Sequence, residues 1–166
     1  MANAMAHAIG GQASQPGRQV ISMSGDGGFA MLMGDLITLT QAKLPVKVVI
    51  FNNGVLCFVA LEMKAAGLIE TGTDLKNPDF AAMARAMGIH AIRVEDPGEL
   101  AGAIRDVLSH DGPAVLDVVT ATQELSMPPT ISAEQVKGFS LWVLRAVMSG
   151  RGDEVLDLAK TNLLPR

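Results

Sequence analysis

Short runs of apolar residues alternate with helical stretches along the first two thirds of the chain. The runs are rich in β-branched residues and are bounded by glycine, proline and polar residues, which is typical of buried strands in a parallel sheet. They cover residues 20–24, 46–51, 91–94 and 114–119. Strands that alternate with helices in this way predict an α/β fold with a doubly wound parallel sheet of four strands.

The stretches between the strands repeat their apolar residues with a helical period. In the stretch 29–43, Leu32, Leu36 and Leu39 fall on one face of a predicted helix, and Pro45 marks its end. Gly88 is expected to follow the C-terminus of another helix. The remaining helices of this part are predicted at 1–13, 58–66, 79–87 and 98–109.

The character of the chain changes after the last predicted strand. A Pro-Pro pair at 128–129 interrupts any regular element, and helical stretches follow at 133–148 and 153–162. We therefore predict an α/β domain over residues 1–123 and a C-terminal helical tail over residues 124–166.

Composition and charge exclude several classes of protein. Apolar residues make up 49% of the chain and charged residues 18%, which argues against disorder and for a buried sheet. The net charge of −4 gives no indication of a nucleic-acid surface. A single cysteine, Cys57, excludes an intrachain disulfide and fits a reducing compartment. No apolar run reaches the length of about 18 residues that spans a bilayer, so we expect a cytoplasmic protein.

Two polar loops follow neighbouring runs of the predicted sheet. Asp26, with Gly27 and Gly28, comes directly after the first strand, and Asn53 follows the second. Open α/β sheets bind ligands at the carboxyl ends of their strands. Glycines let main-chain N–H groups approach an anion closely, and a helix expected to begin at Phe29 would direct its positive end at the same place. The pattern predicts an anion-binding edge that also carries metal ligands.

The ligand types indicate which metal this edge would hold. A carboxylate and an amide oxygen suit Mg²⁺ better than Zn²⁺, and Mg²⁺ usually takes few protein ligands together with phosphate oxygens. Asp26, Asn53 and the main-chain oxygen of Val55 are the predicted metal ligands. A Gly-Asp-Gly sequence alone is an ordinary strand-to-helix turn, and the prediction depends on both loops together.

Three stretches of the chain resemble the thiamine-diphosphate (ThDP) enzymes of the pyruvate dehydrogenase (quinone), or pyruvate oxidase, family. They read GDGGFAMLMGDLITLTQAKLPVKVVIFNNGVL, DGPAVLDVV and KGFSLWVLRAVMSGRGDEVLDLAKTN. The first contains the ThDP motif of the wider superfamily of decarboxylases and oxidases. The third is the most discriminating, because decarboxylases and acetolactate synthases do not share it.

The resemblance implies a role for each residue that matches the family pattern. Asp26, Asn53 and Val55 would ligate Mg²⁺, and Gly27 and Gly28 would contact the diphosphate. Phe58 matches an aromatic residue that lies between thiamine and flavin, and it receives the catalytic assignment. The remaining cofactor contacts implied by the family are Met1, Gly54, Leu56, Cys57 and Val59, and Cys57 stands where close relatives carry glycine.

The resemblance also implies an activity and its partners. The family oxidises pyruvate to acetate and CO₂ and passes electrons through FAD to a membrane quinone. Its C-terminal tail binds membrane lipid, which places the enzyme on the inner face of the cell membrane, and the subunits form homotetramers. The activating glutamate and the FAD site lie in other domains, so we expect this chain to be an N-terminally truncated fragment of the ThDP domain that is inactive alone.

Two other functions are compatible with the sequence. The chain would serve as the separate diphosphate-binding subunit of a split ThDP-dependent 2-keto-acid decarboxylase. Alternatively, it would act as a non-catalytic module that binds membranes through its tail.

Overall fold

A computed structural model describes residues 1–124 and 131–163. The predicted Pro-Pro interruption and the last three residues of the predicted tail lie outside the described residues. In chain order the helices and strands are α1 (Asn3–Ser14), β1 (Ile21–Gly25), α2 (Asp26–Ala30), α3 (Leu36–Gln41), β2 (Lys47–Asn52), α4 (Cys57–Ala65), α5 (Phe80–Ala86), β3 (His90–Val94), α6 (Leu100–Ser109), β4 (Ala114–Val119), α7 (Ala133–Met148) and α8 (Gly152–Leu163). Single turns of 3₁₀ helix at Met33–Asp35 and Pro97–Glu99 precede α3 and α6.

The chain divides into two compact units. The first contains Met1–Gly54 and Lys76–Thr120, and the second contains Val55–Leu75 with the described residues from Ala121 onward. The segment that follows β2 therefore groups with the C-terminal helices. The predicted division into functional domains at residue 123 stays a prediction.

The first unit is built on a parallel sheet, as the sequence predicts. Within the described part of the chain the sheet has four strands in the order β1-β2-β4-β3, and every neighbouring pair is parallel. The register aligns Gly25 of β1 with Phe51 of β2. The loops that follow these two strands consequently leave the sheet side by side at its carboxyl edge.

Helices cover both faces of this sheet. Val48 and Ile50 of β2 are fully buried in a cluster that includes Phe80 of α5, and residues of α1, α2 and α3 join the same cluster. Val49 points to the opposite face, where it packs against a cluster that includes Val107 of α6. Successive strand residues point to opposite faces of a sheet. The continuous apolar run in β2 therefore presents apolar side chains to both faces, and helices cover both of them. Burial of each such side chain contributes roughly 1.5–3 kcal/mol.

The single helix predicted over residues 29–43 is wrong. The chain forms the short α2, the 3₁₀ turn and α3 instead, and α2 begins at Asp26 rather than at Phe29. Gly34 lies at the interruption, and glycine costs about 1 kcal/mol in a helix interior. The 3₁₀ turn changes the helical phase, so Leu36 is fully buried whereas Leu32 is 36% exposed.

The second unit packs α4, α7 and α8 around a small apolar cluster. Trp142 and Ala146 of α7 are fully buried there, with Leu158 of α8 nearly so, and Phe139 packs against the Trp142 ring with 5.2 Å between ring centroids. Ser132 caps α7 in a reciprocal arrangement with Gln135. No helix within residues 1–124 and 131–163 is both long enough and apolar enough to cross a bilayer.

Glu70 is a buried charge at the centre of the second unit. Its carboxylate lies 3.0 Å from Lys64 Nζ and accepts a hydrogen bond from Trp142 Nε1 at 2.8 Å. Burial alone would raise the pKa of Glu70, but hydrogen bonds from the backbone, Trp142 and Lys64 and the charge of Lys64 outweigh it, and the pKa is lowered. The ionised form of Glu70 is therefore built into the packing of α4 against α7.

Candidate functional site

Asp26 lies at the carboxyl end of β1, where it begins α2. Its side chain is buried, and both carboxylate oxygens act as acceptors. Oδ1 accepts the Gly27 N–H at 2.8 Å, and Oδ2 accepts the Gly54 N–H at 2.7 Å and the Asn77 side-chain amide at 2.7 Å. Both oxygens of the Asp26 side chain are therefore held in place by N–H donors.

The end of β2 supplies the second part of the site. Asn52 is the last residue of the strand and is buried, and Asn53 and Gly54 form the loop that follows. Gly54 adopts a φ of 71°, a conformation that glycine reaches without strain, and this turn directs its N–H at Asp26. The two predicted loops are therefore joined by a hydrogen bond, and Asn53 lies half-buried beside that junction in the chain.

Sequence reasoning missed Asn77, which completes this edge. Its amide nitrogen donates to Asp26 Oδ2 and, at 2.9 Å, to Asn52 Oδ1. Asn77 belongs to a stretch that the sequence marks only as a polar loop before Pro78. The sequence offers one indirect indication of its position. The chain must return to the sheet at the end of this loop, just before α5 begins.

A line of polar contacts continues from Asn52 into the sheet. Asn52 Nδ2 donates to Asp117 Oδ1 at 3.0 Å, and Arg93 donates to the other oxygen of Asp117 at 2.7 Å. Asp117 is fully buried in β4. The pKa of Arg93 is raised, chiefly by its hydrogen bond to Glu95, against the opposing effect of burial, with a further contribution from Asp117. The charge of Asp117 is thus balanced within the sheet.

Asp26, in contrast, has no charged partner in the described residues. Its three donors are neutral N–H groups, and none of the ion pairs found in residues 1–124 and 131–163 includes it. A buried carboxylate without a counter-charge is costly. The donor set at this edge consists of a carboxylate and amide oxygens, which fits a hard cation such as Mg²⁺. In the same part of the chain no group of three or more His, Cys, Asp or Glu side chains is arranged to hold a metal ion by itself.

The packing of the chain does not require a glycine at position 28. A Cβ on Gly28 would lie 3.7 Å from the nearest heavy atom, the Ala2 nitrogen, which is an ordinary contact. Neither Gly27 nor Gly28 has a positive φ. Their predicted contact with a diphosphate stays a prediction, as does that of Met1, whose side chain is exposed.

The other predicted contacts belong to the second unit. Val55 is buried and pairs with Asp74 in an isolated bridge, and its main-chain oxygen accepts the Cys57 N–H at 2.8 Å. Phe58 is 70% exposed and Val59 is 40% exposed at the start of α4. A polar cavity of ≈ 140 Å³ adjoins Cys57 and is lined by Lys64, Glu70 and Arg151 among others. The roles assigned to Val55, Leu56, Cys57, Phe58 and Val59 stay predictions.

The fold and this edge define a class of protein before any comparison is made. They describe an α/β domain with a polar edge at the carboxyl ends of two adjacent parallel strands, which is where open α/β sheets bind ligands. Residues 1–118 match the family described as "Thiamine pyrophosphate enzyme, C-terminal TPP binding domain". The chain belongs to this family of ThDP enzymes, thiamine pyrophosphate being another name for ThDP.

Individual relatives agree with the family. The chain is 40% identical over 154 residues to YdaP of Bacillus subtilis, and the match covers 93% of this chain and 27% of YdaP. The name of YdaP describes it as a thiamine pyrophosphate-containing protein. It is 32% identical over 115 residues to an acetolactate synthase of B. subtilis, covering 69% of this chain and 20% of that enzyme. It is 36% identical over 121 residues to benzoylformate decarboxylase of Pseudomonas aeruginosa, covering 70% and 22%. The chain therefore spans about a quarter of the length of these relatives.

Proposed function

We propose that this chain binds the Mg²⁺-diphosphate end of ThDP at the edge formed by Asp26, Asn53 and Gly54. The observation that carries the proposal is the buried Asp26 carboxylate, which is held by neutral donors and lacks a counter-charge among the described residues. A divalent cation bound there would supply the missing charge. The predicted main-chain ligand, Val55, follows Gly54 directly in the sequence.

When it is bound, ThDP supplies a carbon nucleophile and an electron sink for reactions of 2-keto acids. The residues of this chain bind and orient the cofactor. Asp26 would hold the cation, and the Gly54 N–H restrains the Asp26 carboxylate through a hydrogen bond that joins the two strand ends. The Gly27 N–H is already donated to Asp26 Oδ1, so Gly28 is the glycine whose main-chain N–H would face the diphosphate.

We further propose that the chain is part of a pyruvate:quinone oxidoreductase that also uses FAD. The resemblance of its C-terminal stretch to that family supports this assignment. The match to YdaP covers 154 residues of this chain, compared with 115 and 121 for the acetolactate synthase and the decarboxylase, and the name of YdaP specifies thiamine pyrophosphate without a substrate.

Calorimetric titration of Mg²⁺ into the chain at a fixed excess of ThDP tests the binding proposal. We expect Asp26→Asn to raise the half-saturating Mg²⁺ concentration by at least about 100-fold, because loss of a ligand should exceed the 10–100-fold effect of losing an outer hydrogen-bond partner. Asp35→Asn, a matched change in the 3₁₀ turn, should leave it unchanged. Equal Mg²⁺ dependence in the wild type and Asp26→Asn would refute the proposal.

A product assay tests the finer assignment. The chain is supplied with pyruvate, ThDP, Mg²⁺, FAD and an artificial electron acceptor. We expect no acetate from the chain alone, because the chain covers about a quarter of the relatives' length. Acetate should appear when the chain is combined with the remaining part of YdaP. Acetolactate in that mixture, or acetate from the chain alone, would contradict the assignment.

A further inference from the structure

Asn77 connects the candidate metal ligand to the rest of the sheet. One amide nitrogen serves two acceptors, Asp26 Oδ2 at 2.7 Å and Asn52 Oδ1 at 2.9 Å. An NH₂ group has two hydrogens, so both contacts can be made at once and neither hydrogen is left for another partner. Asn77 therefore links the side chains of Asp26 and Asn52 through hydrogen bonds from one amide group.

The backbone around Asn77 is held in place from the C-terminal side. Pro78 restricts the conformation of the residue before it, and the Asp79 side chain caps α5 by accepting the Ala82 N–H at 2.7 Å. Phe80, the first residue of α5, is fully buried and packs edge-on against Phe29, with 5.1 Å between ring centroids. The start of α5 is therefore a rigid base for the Asn77 side chain.

The direction of each hydrogen bond in the line is fixed by charge. The Asp117 carboxylate accepts a hydrogen bond from Arg93 in an ion pair with 2.7 Å between the two atoms. Asn52 must therefore direct its NH₂ group at Asp117 and its oxygen at Asn77. This orientation in turn requires the NH₂ group of Asn77, rather than its oxygen, to face Asp26 and Asn52.

The count of donors on Asp26 shows what this arrangement leaves open. A carboxylate oxygen accepts about two hydrogen bonds. In the part of the chain that the structure describes, Oδ2 receives the Gly54 and Asn77 donors and is saturated, whereas Oδ1 receives one donor, the Gly27 N–H. The saturated oxygen fixes the rotation of the carboxylate about its Cβ–Cγ bond, and Oδ1 keeps a lone pair for a cation.

We propose that Asn77 is a positioning residue for the cation site: it saturates Asp26 Oδ2 so that Oδ1 is presented to the metal, and Asn52, oriented by Asp117 and Arg93, sets the direction of its amide. This inference rests on the proposed binding of Mg²⁺ by Asp26. It assigns to Asn77, in the loop before α5, a role in the affinity for the metal. It assigns to the buried residues Asn52 and Asp117 of the sheet the role of orienting the Asn77 amide.

The same calorimetric titration in the full 166-residue chain tests the proposal. Asn77→Leu is close in size but donates no hydrogen bond. We expect the half-saturating Mg²⁺ concentration at fixed excess ThDP to rise 10–100-fold, as is typical when a hydrogen-bond partner of a metal ligand is lost, while the number of sites per chain stays the same. Asn162→Leu is the matched control, because the Asn162 amide nitrogen also donates to two oxygens, both 2.8 Å away. It should not change the Mg²⁺ dependence.

The outcomes of the titration distinguish the proposed role of Asn77 from the proposed binding of Mg²⁺. A fall in the number of sites with an unchanged half-saturation would mean that Asn77 only maintains the fold, and it would overturn the proposal. If the wild type and Asp26→Asn differ as expected but Asn77→Leu behaves like the wild type, the inference fails and the binding function stands. If the wild type shows no Mg²⁺ dependence, the binding function itself fails.

A second variant is available if Asn77→Leu does not fold. Asn77→Ser carries one hydroxyl hydrogen, so it can serve Asp26 or Asn52 but not both. We expect a smaller rise in the half-saturating Mg²⁺ concentration, about 3–10-fold, below the range for a full loss of the partner. Wild-type Mg²⁺ dependence in a folded Asn77→Ser chain would overturn the proposal.

Discussion

Gly138 provides a direct test of the packing in the second unit. It lies in the interior of α7, where the helix backbone passes close to the end of α4. A Cβ at this position would lie 1.9 Å from the Ala65 carbonyl oxygen and 2.8 Å from its carbonyl carbon. Both atoms belong to the backbone and cannot move as a flexible side chain would. Substitution to alanine therefore requires the two helices to separate by more than 1 Å, because Cβ contacts below 3.0 Å essentially do not occur.

The magnitude follows from two opposing effects. Alanine is favoured over glycine in a helix interior by about 1 kcal/mol. Overpacking a well-packed site costs about 1–3 kcal/mol, and the upper end applies when the backbone must shift. We expect Gly138→Ala to lower the free energy of unfolding by about 2 kcal/mol. Gly102→Ala in α6 is the matched control, because a Cβ at Gly102 meets no atom within 4 Å. It should raise the free energy of unfolding by about 0.5–1 kcal/mol.

Urea unfolding followed by fluorescence measures both effects. Trp142, the only tryptophan of the chain, lies one turn after Gly138 and is fully buried, with its indole N–H bonded to Glu70. Separation of α7 from α4 should shift its emission to longer wavelength before the chain unfolds. If Gly138→Ala is as stable as Gly102→Ala and keeps the wild-type emission, the close approach of the two helices is wrong.

Two further predictions concern the second unit. Because the pKa of Glu70 is lowered on folding, its carboxylate stabilises the fold above its ordinary pKa of 4.5, and this contribution is lost as the pH falls through the lower pKa of the folded state. Glu70→Gln should cost about 3 kcal/mol at pH 7, since it removes the counter-charge of the buried Lys64 and leaves it the neutral acceptor Gln123. The difference in urea unfolding should shrink below pH 4.5; an equal difference at pH 7 and pH 3 would contradict this. We also propose that the tail binds membrane lipid through exposed apolar residues of α7, including Leu144 and Val147, exposed by 58% and 56%. The chain should float with liposomes, and Leu144→Asp with Val147→Asp should abolish flotation, whereas Ile37→Asp in the first unit should not; retention by the double variant would count against this surface.

The alternation of apolar strands and helices was enough to predict the sheet. All four predicted strands are present within two residues of their predicted limits, because a strand buried on both faces leaves a continuous apolar run in the sequence. The helix over 29–43 was wrong because helical periodicity alone does not register a change of phase at a 3₁₀ turn. Local pattern therefore determines which elements form and their order along the chain.

Asp26 and Asn53 are candidate ligands from sequence alone, because the ends of parallel strands often carry functional side chains whatever the details of packing, and their role stays a prediction. Their hydrogen bonds depend on tertiary structure. Asn77 lies 51 residues from Asp26, and Asp117 lies 65 residues from Asn52. Only the parallel pairing of β2 with β4, and the return of the chain before α5, brings these groups within 3.0 Å. A single sequence holds no trace of such contacts, since hydrogen bonding between distant polar residues leaves no local periodicity.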